Sequence, residues 1–218
     1  MSYSLVVFDW DGTLMDSTHS IVAAIQGACR DLDLPVPSAS QASWVIGLSL
    51  ESALRHAVPE LTKALTPRFL ERYRVNYLLR DPELKLFDGV RELLADLAQR
   101  NVQLAVATGK SRVGLNRALA ASGLTEVFQA TRTADETFSK PNPAMLHEIM
   151  DELNILPEHV VMIGDTSHDL NMAANASVHG VGVTYGAHTR KELEGCAPQV
   201  IVENVAELSA WLAAQSVK

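Results

Sequence analysis

Only two cysteines, Cys29 and Cys196, occur in the 218 residues, far apart and without histidines at metal-ligand spacing. That leaves neither a disulfide framework nor a zinc site to organise the fold, and both are expected to be reduced, buried thiols. Basic residues are also short, with 18 Lys and Arg against 26 Asp and Glu and a formal charge of −8. A sequence-independent grip on nucleic acid needs clustered cations to displace counterions from phosphates, so nucleic acid is not an expected partner. No apolar run approaches a membrane span, and the stretch before Asp9 is too short and lacks the basic leader of a secretory signal. The expected setting is the cytoplasm, with no membrane partner. An anionic substrate must then be held locally, by a bound cation, by helix N-termini or by one or two well-placed lysines.

What the chain has is apolar residues, 47% of the total, enough to bury one large core or a core with an insertion. Short runs rich in Val and Ile, at residues 5–8, 102–107, 160–163, 178–183 and 200–202, alternate with amphipathic stretches. This predicts an α/β fold, a Rossmann-like parallel sheet with helices on both faces. Asp88 is expected to cap a helix over 89–100, and Ser111 one running to residue 121 with Gly123 stopping it. Pro143 is expected early in a helix ending at residue 153.

Residues 17–86 break the alternation, with helical patterns at 17–32, 49–57 and 66–79 and no convincing strand between them. An all-helical insertion after the first strand belongs above the carboxyl ends of the strands, where such sheets bind ligands. The expected division is a core of residues 1–16 and 87–218 and a helical unit of residues 17–86, joined by short hinges near Asp16-Ser17 and Lys85-Asp88.

Chemistry-bearing residues gather at the strand ends. The first run ends in Asp9-Trp10-Asp11-Gly12-Thr13, two acids that can divide the work of nucleophile or metal ligand and of proton carrier, although Asp-Gly is also ordinary turn chemistry. The second ends in Thr108-Gly109-Lys110. A hydroxyl and backbone N–H groups at a helix start suit a phosphate oxygen, or simply lead into the Ser111 cap. A nucleotide P-loop is excluded, because Leu104 stands where that loop needs glycine. Lys140 precedes Pro141 in a segment rigidified by proline, or is a solvated loop lysine. Gly164-Asp165 closes a further run, with Asp169 one helical turn on. Hard carboxylate ligands of this type suit Mg2+.

Taken in order, Asp9-x-Asp11-Gly12-Thr13, Thr108, Lys140-Pro141 and Gly164-Asp165 with Asp169 resemble the haloacid dehalogenase superfamily over essentially the whole chain. The branch it is most similar to is the phosphoglycolate phosphatase-like one, and the insertion looks like the superfamily's small cap. The resemblance implies that Asp9 is the nucleophile, forming an aspartyl-phosphate, and Asp11 the general acid and then base. Thr108, Gly109 and Lys140 would bind phosphate, and Asp9, Asp11 (through its carbonyl), Asp165 and Asp169 would serve magnesium. The implied activity is hydrolysis of a small-molecule phosphate ester, phosphoglycolate-like or a sugar phosphate. Dehalogenases of the superfamily lack the second acid, and its mutases usually present a cap histidine where this chain has Ile21, so hydrolysis is preferred. Phosphomutase and pyrophosphatase chemistry stay as alternatives. A receiver-like phosphoacceptor module is a further one, although receivers order these residues differently. The turn Ile46-Gly47-Leu48-Ser49 either faces the site, with Gly47 and Leu48 reading the leaving group, or is a helix-to-helix turn capped by Ser49. Trp44, Tyr73 and Tyr77 are expected in the core of the helical unit. Oligomeric state is not legible in the sequence.

Overall fold

The computed structural model describes residues 3–80 and 84–215; residues 81–83 of the expected helical unit lie outside the described residues. Its centre is strand β1, Leu5–Phe8, buried along its whole length. Val6 and Phe8 enter one apolar cluster, Leu5 and Val7 another on the opposite face. This is the two-residue period of a strand covered on both sides. Strand β2, Gln103–Thr108, repeats the division: Leu104 and Val106 face one way, and the small Ala105 and Ala107 face the other.

With β3 (Ala130–Thr133), β4 (Val160–Gly164), β5 (His179–Val183) and β6 (Val200–Val202), the sheet has the order β3-β2-β1-β4-β5-β6, every pair parallel. Connections run outward in opposite directions from β1 and β4, so the topological switch lies between the ends of these two strands. Strand β3 is absent from the sequence expectation. Its residues Ala-Thr-Arg-Thr carry no apolar run, and only its first and last residues are buried, as suits an edge strand.

Helices α5 (Val90–Gln99), α6 (Arg112–Ser122) and α10 (Val205–Ala214) cover one face. Helices α7 (Ala144–Leu153) and α8 (Ser167–Asn175) cover the other, and α9 (Arg190–Glu194) leads into β6. Ser111 caps α6 by accepting from Gly114 N, and Gly123 ends it in the left-handed conformation, as expected. The expected cap of α5 is corrected: Gly89, at φ 87°, occupies that position instead of Asp88, and no side chain caps the helix.

Four helices lie between β1 and α5: α1 (Thr18–Asp31), α2 (Ala39–Trp44), α3 (Leu50–Ala57) and α4 (Thr66–Leu78). They share an apolar cluster of their own, with Ala24, Ala28, Ile46, Leu54 and Phe69 inside it. Ser49 caps α3 through Ser52 N, and Pro67 sits in the first turn of α4. The chain enters and leaves this segment side by side. Asp16 N donates to Lys85 O at 2.9 Å and Phe87 N to Leu14 O at 3.0 Å, so the two connections brace each other.

Candidate active site

Four strand ends deliver the side chains that the sequence singles out. Asp9 follows β1, Thr108 ends β2, Lys140 lies between β3 and α7, and Asp165 follows β4 with Asp169 in the first turn of α8. All five are buried. The Lys140 ammonium stands 2.8 Å from Asp9 Oδ1 and 2.6 Å from Asp169 Oδ1, with all three side chains withdrawn from solvent. The Lys140–Pro141 peptide is cis. Carboxylate oxygens of Asp9, Asp165 and Asp169 lie within 4.8 Å of one another.

Each acid except Asp9 is tied into its surroundings. Asp165 accepts from the Thr13 hydroxyl at 2.8 Å and from Ala187 N at 2.7 Å. Asp169 Oδ2 accepts from the Thr166 hydroxyl at 2.6 Å and Thr166 N at 3.1 Å, closing a capping box at the start of α8. Asp9 has only Lys140, whose ammonium reaches Oδ1, and its Oδ2 has no hydrogen-bond partner among the described residues. Burial pushes the Asp9 carboxyl up to about 7, Lys140 pulling against the shift and Asp169 adding to it. Asp165 is raised well above the carboxylate range by burial and then by Asp9 and Asp169. Burial alone would lower Lys140, but Asp169 and Asp9 outweigh it and hold the ammonium above its ordinary value.

Three clustered carboxylates facing one ammonium, with a buried carboxylate oxygen left over on Asp9, fit a hard divalent cation. Asp9, Asp165 and Asp169 are the residues that would hold it.

Asp11 is oriented differently. Its Oδ1 accepts from the Ser17 hydroxyl at 2.6 Å and pairs with Lys110 Nζ at 2.9 Å, and that ammonium also donates to the Tyr77 hydroxyl at 3.1 Å. Thr108 Oγ1 accepts from Lys110 N at 3.2 Å, which shapes the turn after β2. Thr13 and Lys110 stand in the motifs read from the sequence with no role assigned to them, and Ser17 and Thr166, which also meet these acids, lie within a few residues of a motif, the one signal available for them.

The turn Ile46-Gly47-Leu48 comes down onto the strand ends. Gly47, at φ 89°, places its Cα so that a side chain there would meet Thr166 Oγ1 at 3.3 Å and Asp9 Oδ2 at 3.9 Å. Gly109 has the carbonyls of Gly47 and Leu48 where its own Cβ would stand, so only glycine admits this approach. Ser49 caps α3, while Gly47 stands close to Asp9 and Leu48 lines a cavity that Asp11 borders. Tyr77 is buried and Tyr73 half-buried in the apolar cluster of the four helices, as expected, yet both also line a cavity that Asp11 borders. Trp44 is corrected: 37% exposed, it lies outside that cluster and packs on His168 and His188. Its carbonyl accepts from both imidazole Nε2 atoms at 2.9 Å.

A parallel sheet with this order gathers acids, a hydroxyl and a lysine at its switch point, the place where open α/β sheets bind ligands. The chain belongs to the haloacid dehalogenase-like hydrolases, whose family model matches residues 6–183. It is 38% identical over 210 residues to a protein of Dickeya dadantii named "Probable phosphatase IndB", covering 94% of this chain and 91% of that one. It is 32% identical over 209 residues to the phosphoglycolate phosphatase of Pectobacterium atrosepticum, covering 93% and 89%. The crystal structure of a predicted phosphatase from Clostridium acetobutylicum superimposes with a TM-score of 0.86 at 27% identity, over 98% of this chain and 99% of that one. The enzyme is thus a phosphatase-type hydrolase, similar to the phosphoglycolate phosphatases.

Lys140→Met removes the one positive charge between Asp9 and Asp169. It is expected to cost about 3–5 kcal/mol of stability at pH 8, the range for breaking a buried ion pair. A carboxyl whose folded pKa is raised weakens the fold as pH rises through that value, so the loss should shrink at pH 5, where Asp9 is protonated. Urea unfolding in chelator at the two pH values checks this, and an equal loss at both would contradict it.

Proposed function

We propose that the enzyme is a magnesium-dependent phosphatase that hydrolyses small phosphate monoesters, phosphoglycolate and sugar phosphates included in the class, through an aspartyl-phosphate on Asp9. The observation that carries this reading is the Asp9 carboxylate, buried at the switch point with Oδ1 facing Lys140 and Oδ2 free of any hydrogen-bond donor among the described residues. A carboxylate left unbonded keeps its lone pairs available for attack.

In this reading Asp9 attacks phosphorus and the ester oxygen departs on the opposite side. Asp11 protonates that oxygen, then takes a proton from the water that hydrolyses the aspartyl-phosphate. The Thr108 hydroxyl and Gly109 N–H bind phosphate oxygens, and Lys140 offsets their charge while keeping Asp9 in place. Mg2+, held by the Asp9, Asp165 and Asp169 carboxylates with the Asp11 carbonyl, would neutralise the repulsion between Asp9 and the phosphate. Residues 17–86 act as a cap domain on a core of residues 1–16 and 87–218. Gly47 and Leu48 face the leaving group, and closure excludes water during transfer. No helix of the described residues is long and apolar enough to cross a membrane, and the setting proposed for the enzyme is the cytoplasm.

Asp9→Asn is expected to lower turnover of every ester by roughly a thousandfold or more, because an amide is no nucleophile. Steady-state assays on folded protein decide this, and turnover near wild type would end the mechanism.

Asp11→Asn separates substrates by the basicity of the departing oxygen. An alkyl ester should lose roughly a hundredfold to ten-thousandfold in kcat/KM, and 4-nitrophenyl phosphate much less. Equal losses would remove Asp11 from the general-acid role.

Chelation should abolish turnover and Mg2+ restore it. Because the metal-free Asp9 carboxyl titrates at about 7, above its unfolded value, its contribution to stability is present at low pH and lost as pH rises through about 7. Cation binding reverses that loss, so Mg2+ affinity should rise between pH 6 and 8 with release of protons. Isothermal titration in buffers of different ionisation enthalpy measures both, and affinity independent of pH would count against Asp9 as a ligand.

A further inference from the structure

Between the strand ends and the four helices lies a cavity of about 290 Å³. Asp11 borders it, so it is where a leaving group protonated by Asp11 would sit. Its walls away from Asp11 are mostly hydrocarbon and aromatic: Ile21 and Ile25 of α1, Val45 and Leu48 about the turn, Leu54 of α3 and Tyr73 of α4. The Tyr73 and Tyr77 rings stack with centroids 6.1 Å apart and planes 26° from parallel, giving one wall the flat shape of an aromatic ring.

The cations at the cavity are already engaged or stand at its rim. Lys110 is held by Asp11 and by Tyr77, and its ammonium also lies 5.1 Å from the centre of the Tyr77 ring. Arg117 lies over the same ring at 5.8 Å, and Arg74 is exposed. A carboxylate on the leaving group could use Lys110 only by drawing it away from the proposed general acid, which leaves the exposed Arg74 and Arg117 as its other counter-charges. A sugar would set several hydroxyls against the apolar walls of α1, α3 and the turn, where each unmet group costs free energy, the polar lining being Asp11, Lys110, Ser111, Arg74, Arg117 and the two tyrosines. One polar group is well placed: the Tyr73 hydroxyl, at the cavity wall and close enough to Lys110 and Asp11 to feel both charges. The volume also exceeds the need of a two-carbon fragment, since about 290 Å³ is room for roughly ten waters at about 30 Å³ each.

We propose that the alcohol this enzyme releases is predominantly apolar and about the size of a ring, with at most one polar group directed at Tyr73, rather than glycolate or a sugar. The proposal rests on the phosphatase reading above and narrows its substrate class. It places selection in the apolar walls contributed by α1, α3 and α4, while the phosphoryl chemistry stays at Asp9.

The test compares esters whose alkoxides place similar demands on the general acid. With Mg2+, 2-phenylethyl phosphate should exceed ethyl phosphate in kcat/KM by about tenfold or more, as burial of the added ring requires. It should also exceed phosphoglycolate and glucose 6-phosphate. Tyr73→Ala should collapse the phenylethyl-to-ethyl ratio toward one, and Tyr73→Phe, which keeps the aromatic wall, should retain it. Phosphoglycolate or glucose 6-phosphate as the best substrate, or a ratio near one in the wild type, would overturn the proposal and leave the phosphatase reading intact. A Tyr73→Ala protein that keeps the ratio would overturn it too, and the wild-type panel decides by itself where that variant does not fold. Hydrolysis of none of the esters, with or without Mg2+, would overturn both.

Discussion

Lys140 Nζ, wedged between Asp9 and Asp169 with no solvent access, is the contact on which the site depends. Three acids crowd one ammonium in a region where water cannot screen them, so the local charge does not balance. The imbalance appears in the raised carboxyls of Asp9 and Asp165 and the raised ammonium of Lys140. The fold tolerates it because two of the acids are bonded by their own loops, Asp165 by Thr13 and Ala187 and Asp169 by Thr166. Of the three acids, only Asp9 keeps an oxygen, Oδ2, with neither hydrogen bond nor ion pair among the described residues, a departure from full hydrogen bonding of the kind found where chemistry is done.

The sheet explains why these groups meet. Parallel strands all present their carboxyl ends on one edge, and the reversal of direction between β1 and β4 opens a crevice there. Residues separated by more than 150 positions, such as Thr13 and Asp165, become hydrogen-bonded neighbours with nothing but strand register between them. The four helices then contribute walls without disturbing the edge, because their apolar cluster is their own.

Much of this was legible in the sequence for a physical reason. Strands covered on both faces must be continuous apolar runs, so β1, β2, β4 and β5 announce themselves, and a polar residue ending such a run can only stand at the sheet's edge. Asp9, Thr108 and Asp165 follow from that rule, with Asp169 one helical turn beyond. Strand β3 was missed because an edge strand needs only one or two buried residues. The Asp11–Lys110 pair, the Thr13 bond to Asp165 and the two-histidine contact of Trp44 depend on side-chain directions in loops, which no periodicity encodes. The cavity walls were equally hidden, since an apolar residue facing a void and one facing a neighbour look the same in a sequence.

The Trp44 carbonyl, which accepts from His168 and His188 together, bears on dimensional tolerance. A helical segment joined to a sheet by two chain connections accumulates positional error along each of them. Here the segment is also pinned from the side by a strut whose foot, His168, adjoins Asp169 in the first turn of α8. The distance from the buried acids to the turn at Gly47 is therefore gauged by one turn of helix and one short contact, not by the sum of two flexible paths. In chemistry where a misplacement of about 1 Å can cost a hundredfold in rate, that short gauge sets where a separately packed cluster of helices stands when it is closed over the strand ends.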